Sequence, residues 1–160
     1  MGFSVDGLDE FITRISDLEN HTDGLFRRCA YEGAKVIADE IKKGLNNLRV
    51  VEARWGTSKH PLQGVTEKQK ADLIKSMGVS RIQTANGVTT VSVGFHGYGS
   101  EPTKQYPKGI PNRLLIQEVE SGTSFMRKQP VVRSAINRAK KSLDSAIQNE
   151  ATKYINERMK

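Results

Sequence analysis

Apolar residues in this chain recur mostly at spacings of three and four, the period of helices that bury one stripe, and in one place they alternate like a ribbon. Helical spacing starts at Leu8 and runs through Phe11, Ile12, Ile15 and Leu18, with Asp6 placed as its cap and Phe3 and Val5 reading as a short strand before it. A longer helix is predicted from Leu25, Phe26, Cys29, Ala30, Val36, Ile37 and Ile41. Asp23 precedes it, Gly33 inside it marks a close packing contact, and Gly44 is placed to stop it. From Leu45 to Val65 the period is lost and Gly, Asn, Pro and Ser gather around Trp55, so the stretch reads as an excursion with room for a short strand at Arg49 to Ala53. Thr66 followed by Glu67, Lys68 and Gln69 opens a third helix with Ala71, Ile74 and Met77 on its apolar side, Leu73 at the margin and Gly78 closing it.

The alternating stretch allows a register to be derived. Asn86-Gly87 is the preferred two-residue hairpin turn, so Ala85 faces Val88, Thr84 faces Thr89, Ile82 faces Val91 and Ser80 faces Val93 in a hairpin over 79–95. Ile82, Val91, Val93 and Phe95 then share one side, and Arg81, Gln83, Thr90 and Ser92 the other, which predicts a sheet covered by helices on one face. Residues 96–111 form a long loop in which Tyr98, Lys104, Tyr106 and Lys108 interleave aromatic and basic groups. Such a loop suits contact with a protein or with nucleic acid, or serves as plain linkage. Leu114, Leu115, Ile116 and Val119 suggest a short helix or an irregular strand. Pro130 fits the first turn of a last helix carrying Val132, Ala135, Ile136, Ala139, Leu143, Ala146, Ile147, Ala151 and Tyr154. Running over about 130–157, that helix is about 42 Å long. A chain of this length folds to a radius of gyration of about 15 Å, so the helix spans the whole body or protrudes. The expected fold is α+β, with one domain over 1–160 and long helices on a small antiparallel sheet.

Composition adds constraints. The 160 residues suit one domain, and an apolar fraction of 36% gives it a modest core, as in proteins that bury further surface against copies or neighbours. The net charge of +7 fits a partner that is nucleic acid, an anionic membrane or an acidic protein, or it serves solubility alone. No apolar run approaches a membrane span, and Met1 to Asp6 lacks the basic and apolar regions of a secretory signal, so a cytoplasmic, non-secreted product is expected. The single Cys29 excludes an internal disulfide and reads as a core residue.

Catalytic chemistry finds little footing. His21, His60 and His96 are scattered and lack metal-ligand spacing. Gly94, Gly97 and Gly99 do not open into a helix and lack the Lys-Ser or Lys-Thr of a nucleotide loop. Gly122-Thr123-Ser124 lacks the Gly-x-Ser-x-Gly frame of a nucleophile turn and a nearby His, and Glu118 and Glu120 have no evident metal partner. No catalytic residue, cofactor, metal or small-molecule substrate is expected. The basic cluster Arg127, Lys128, Arg133, Arg138, Lys140 and Lys141 is more informative, because cations at a helix start oppose its dipole unless an anion comes near. An acidic protein or nucleic acid from outside is the anion expected, the alternative being a solvated polar face.

Glu118-Val119-Glu120-Ser121-Gly122-Thr123-Ser124 followed by Gln129-Pro130-Val131-Val132-Arg133-Ser134-Ala135 resembles the family of small neck or minor tail components of tailed bacteriophages. In that family a Glu-x-Gly-Thr-Ser turn and a Pro lead into an amphipathic C-terminal helix. The resemblance extends to Val5-Asp6-Gly7-Leu8-Asp9-Glu10, to the second helix and to Leu73-Ile74-Lys75-Ser76-Met77, although Pro130-Val131 stands where the family usually has Pro-Phe. It implies a non-enzymatic virion protein, assembled in the host cytoplasm, that completes the tail or joins it to the head as a ring of identical subunits. Glu120, Gly122, Thr123 and Pro130 would be its structural turn. Tyr98, Lys104, Tyr106, Lys108, Arg127, Lys128, Arg133, Arg138, Lys140 and Lys141 would be contacts to other copies, to adjacent neck or tail proteins, or to packaged DNA. The competing expectation is a nucleic-acid-binding protein using Lys104, Lys108, Arg127, Arg133, Lys140 and Lys141.

Overall fold

Two long helices, α2 (Thr22–Asn46) and α5 (Val131–Met159), carry the architecture of the computed structural model, which describes residues 8–160 and side-chain surroundings from residue 12 onward. The strand expected at Phe3 and Val5 and the cap expected at Asp6 lie outside the described residues. The two helices are about 37 and 43 Å long. They run antiparallel along most of their length: Gly44 meets Val131, Glu40 bonds Arg138, Gly33 meets Leu143 and Ile147, and Gly24 lies beside the Tyr154 ring. Close approach is possible because the facing residues are small. Ala34, Ala38, Ala135 and Ala139 are buried, and a Cβ on Gly33 would come within 3.3 Å of Leu143 Cδ1. Past the small residues, the Tyr154 hydroxyl donates to the His21 carbonyl at 2.9 Å, and Arg28 reaches Glu150 and Glu157 at 2.6 and 2.8 Å. The last helix therefore lies along α2 rather than projecting alone.

The hydrophobic core gathers at one end of this pair. Ile41, Leu45 and Leu48 from α2 and its exit meet Val131 and Ala135 from α5, with Val65, Leu73, Leu115, Ile116, Val119 and Met126 completing the cluster. Beyond the core the helix pair continues toward α1 (Leu8–Asn20), which leaves His21 alone between itself and α2. Asp23 therefore lies in the first turn of α2 instead of ahead of it, and Gly44 lies inside the helix, which ends at Asn46. Four large apolar residues expected in the helices' buried stripes are exposed, Ile12 and Ile15 on α1, Phe26 on α2 and Ile136 on α5, while Cys29 is half-buried with its thiol against the Ile147 carbonyl. No described helix is long and apolar enough to cross a membrane.

Helix α3 (Glu67–Ser76) starts as its sequence predicts: the Gln69 amide donates to Thr66 Oγ1 at 3.2 Å and the Thr66 amide donates to Gln69 Oε1 at 3.0 Å. Its centre of burial differs from expectation, since Leu73 is wholly buried and Ala71 is exposed. Gly78 does not close it. The chain passes directly into β1 (Met77–Val79), which pairs with β4 (Val93–Phe95), while β2 (Gln83–Ala85) pairs with β3 (Val88–Thr90) around Asn86-Gly87. The pairs Ala85 with Val88 and Thr84 with Thr89 stand as derived. Farther from the turn the register moves by one: Val79, not Ser80, faces Val93, and the Ser80 amide donates to the Ser92 carbonyl at 2.7 Å. Arg81 and Ile82 thus oppose Val91 alone, as in a bulge, which divides the expected sheet into two ladders. Val93 and Phe95 still face the core, and Arg81, Gln83, Thr90 and Ser92 are exposed.

The excursion 45–65 contains an isolated parallel bridge from Val50 to Val65 in place of the short strand. Loop 96–111 is tied down: Asp72 accepts from the Ser100 amide and hydroxyl at 2.8 and 2.9 Å, and the Gly99 amide donates to the Ile110 carbonyl at 2.8 Å. Of the two alternatives for the segment after it, the helix is realised as α4 (Asn112–Ser121), burying Leu115, Ile116 and Val119. Because Leu73 is wholly enclosed, Leu73→Ala is expected to destabilise the protein by about 2–5 kcal/mol. Urea unfolding should show this as a lower midpoint with an unchanged slope.

Candidate docking site at the start of the last helix

The corner between α4 and α5 is assembled by the residues of the Glu-x-Gly-Thr-Ser run. Val119 is wholly buried and fixes the last turn of α4. Gly122 then takes φ +74°, its amide donating to the Glu118 carbonyl at 2.7 Å, and a Cβ there would lie 2.9 Å from the Lys128 amide nitrogen. Only glycine meets both demands without strain. Thr123 closes the next turn, its Oγ1 accepting from the Phe125 and Met126 amides at 3.1 Å each. The chain leaves it pinned on two sides: the Arg127 amide donates to the Leu62 carbonyl at 2.9 Å, and the Gln129 amide to the Val119 carbonyl at 2.7 Å. Pro130 stands at the N-cap of α5, one residue before the first-turn position expected of it.

Glu120 completes the corner. Its two carboxylate oxygens accept from the Val132 and Arg133 amides, each at 2.9 Å, so the last turn of α4 caps α5. The anion that the sequence led one to expect from outside is thus supplied from within, and the helix start needs no partner for its dipole. The cations themselves remain. Residues 121–143 contain six Lys and Arg and no carboxylate, the next acid after Glu120 being Asp144. Arg138 is engaged by Glu40 at 3.1 Å, and Glu40 also holds Lys43 at 2.8 Å. Lys43 first and then Arg138 hold the Glu40 carboxyl below the usual range. Arg127, Lys128, Arg133, Lys140 and Lys141 are exposed and make no ion pair among the described residues. An open groove of ≈ 700 Å³ lies between the helix ends, bordered by Lys43, Lys128, Gln129, Pro130 and Arg138.

The aromatic and basic residues of the loop stand elsewhere. Tyr98, Lys104 and Lys108 are exposed and Tyr106 half-buried in a loop that ends at Pro111, the N-cap of α4, whereas the basic corner follows the C-terminus of that helix. The ten residues of α4 separate the two by about 15 Å. Arg54 reaches the loop from the side of the corner, donating to the Pro102 carbonyl at 3.0 Å, and Trp55 lines a small pocket with Gly99 and Thr103 of the loop. An aromatic pair missing from the sequence-based expectation, Trp55 and Phe125, lies between the loop and the corner. Trp55, 69% exposed, precedes Gly56, which lies against the Phe125 carbonyl; Phe125 is 55% exposed, and the Leu62 amide donates to its carbonyl at 2.8 Å. Arg54 lies over the Trp55 ring at 5.5 Å. Among the described residues no cluster of three or more His, Cys, Asp or Glu could hold a metal ion.

Set against profiles of known protein families, curated proteins and solved structures, the chain matches none of them.

Removing the cap by Glu120→Ala is expected to cost about 1–2 kcal/mol, read from urea unfolding, with helix content retained. Glu118 gives a pH-dependent expectation. It is half-buried, and burial pushes its carboxyl above the usual range, so its charged form is penalised in the folded chain. Its contribution is most favourable below the ordinary glutamate range and is lost as pH rises through the raised value. Glu118→Gln should therefore raise Tm relative to the parent at pH 7, and the difference should vanish toward pH 4.

Proposed function

We propose that this chain is a structural virion-assembly protein of a tailed bacteriophage, acting in the neck or at the tail end to complete the tail or join it to the head, as an oligomeric ring. The observation that carries this reading is the corner itself. The residues of the family-like run each have a distinct structural task, with Glu120 capping, Gly122 turning, Thr123 closing and Pro130 starting the helix. What the corner presents is a fixed surface of unpaired cations beside exposed Trp55, Phe125 and Ile136. Large apolar side chains among cations suit a protein contact, where aromatic and Arg anchors dominate the binding energy. The protein is assembled in the host cytoplasm and retained in the particle.

The second reading, binding of nucleic acid, is favoured by the five unpaired cations. A phosphate at the start of α5 would have to displace Glu120, which weakens it. The discriminating measurement is binding to duplex DNA against salt: phosphate contacts give an affinity that falls steeply with salt, and a protein-docking surface does not require one. For the assembly reading, particles produced without this chain are expected to accumulate as separate heads and tails or as incomplete tails, and purified protein should restore joining in extracts. Infectious particles formed at normal yield in its absence would overturn the assignment.

A further inference from the structure

We propose that copies of this chain dock head to tail, the exposed face of α1 in one copy seating on the outer face of the first three turns of α5 in the next. The proposal rests on the self-association in the reading above and supplies its two faces; it is independent of where in a particle the assembly sits.

Among the described residues neither face is covered, and each has what the other needs. On α1, Ile12, Ile15 and Glu19 fall within about 60° of one another around the helix. Ile12 is 54% and Ile15 45% exposed, an unusual state for two β-branched apolar residues on one helix face. The surrounding chain is acidic: residues 8–24 carry Asp9, Glu10, Asp17, Glu19 and Asp23 against Arg14 alone. Arg14 is turned to its own chain, donating to the Met159 carbonyl. On α5, Arg133, Ile136 and Lys140 also fall within about 60° and repeat the same i, i+3, i+7 spacing with the opposite charge. Ile136 is exposed, and the two cations make no ion pair among the described residues.

The two faces lie at opposite ends of the antiparallel pair, α1 packing on the end of α5 near Arg158 and Met159 and the basic stripe lying at its start. Between Ile136 and Met159 the helix rises about 34 Å, too far for one molecule to satisfy both faces by itself. Complementary patches at opposite ends give a heterologous contact, which closes into a ring or extends as a filament according to the rotation between copies. Helix-on-helix packing through isoleucines, with charges of opposite sign alongside, would exclude water from both stripes and fix their relative polarity.

The test uses two double variants of the full chain, Ile12→Lys with Glu19→Lys on one face and Arg133→Glu with Lys140→Glu on the other. All four positions are exposed, and circular dichroism should report unchanged folding for both. By sedimentation velocity at low salt, the parent is expected to self-associate and each variant alone to be weakened on the order of a hundredfold, as like charges brought together require. Mixing the two variants leaves one intact pair of faces and one pair with the charges exchanged, so the mixture should associate where each variant alone does not. A monomeric parent at high concentration overturns the proposal, as does a mixture that stays monomeric. An oligomer that neither variant disturbs also overturns it while leaving a ring built through other surfaces intact, which the particle experiment tests separately.

Discussion

The close contact between α2 and α5 is the constraint on which the rest of the molecule depends. Small residues at Gly33, Ala34, Ala38, Ala135 and Ala139 allow two long helices to lie side by side, and their shared axis fixes what lies at each end. At one end the pair opens onto the core, where Leu45, Leu73, Leu115 and Val119 are wholly enclosed or nearly so. At the other it carries α1 and a network of Arg28, Glu150, Glu157 and Tyr154. A bulkier seam would part the helices, and the ends would lose their fixed relation. The modest apolar fraction of the chain is consistent with this arrangement, since an elongated helix pair has more surface for its volume than a rounded body.

The α4–α5 corner converts that rigidity into a presented surface. Without Glu120, the start of α5 would carry a positive dipole end and several cations together, a combination that repels itself. With Glu120 bound to two backbone amides the helix start is satisfied, so the cations beyond it are a property of the surface and not a cost to the helix. Arg138 and Glu40 then lock the same end of α5 to α2, leaving the outer side of the helix free of internal obligations. The corner is therefore stable with or without a partner, which suits a surface that meets one late.

Much of this could be read from the chain, and the parts that could not share a cause. Periodicity located the helices because each buries a stripe within its own sequence, and Thr66 with Gln69 marked a helix start because a capping box spans only four residues. Asn86-Gly87 set the hairpin near its turn for the same reason. The bulge at Arg81 and Ile82 was not legible, since it depends on how β1 meets β4 once α3 has passed directly into the strand. Glu120 as a cap twelve and thirteen residues upstream of the amides it binds was equally hidden, as was the approach of Gly56 and Leu62 to the Phe125 carbonyl. Ile12, Ile15 and Ile136 looked like core residues because spacing alone cannot distinguish a stripe that is buried from one that is left bare.

The bulge has a consequence for how the molecule behaves in company. Two-stranded ladders expose unpaired backbone amides and carbonyls along both margins, and a flat ribbon of that kind invites strand addition by any neighbour. Breaking the pairing at Arg81 and Ile82 leaves two ladders of three residues each, too short to serve as a template. Packed beside copies of itself as proposed above, the chain would keep its sheet margins out of the competition and leave association to its helices.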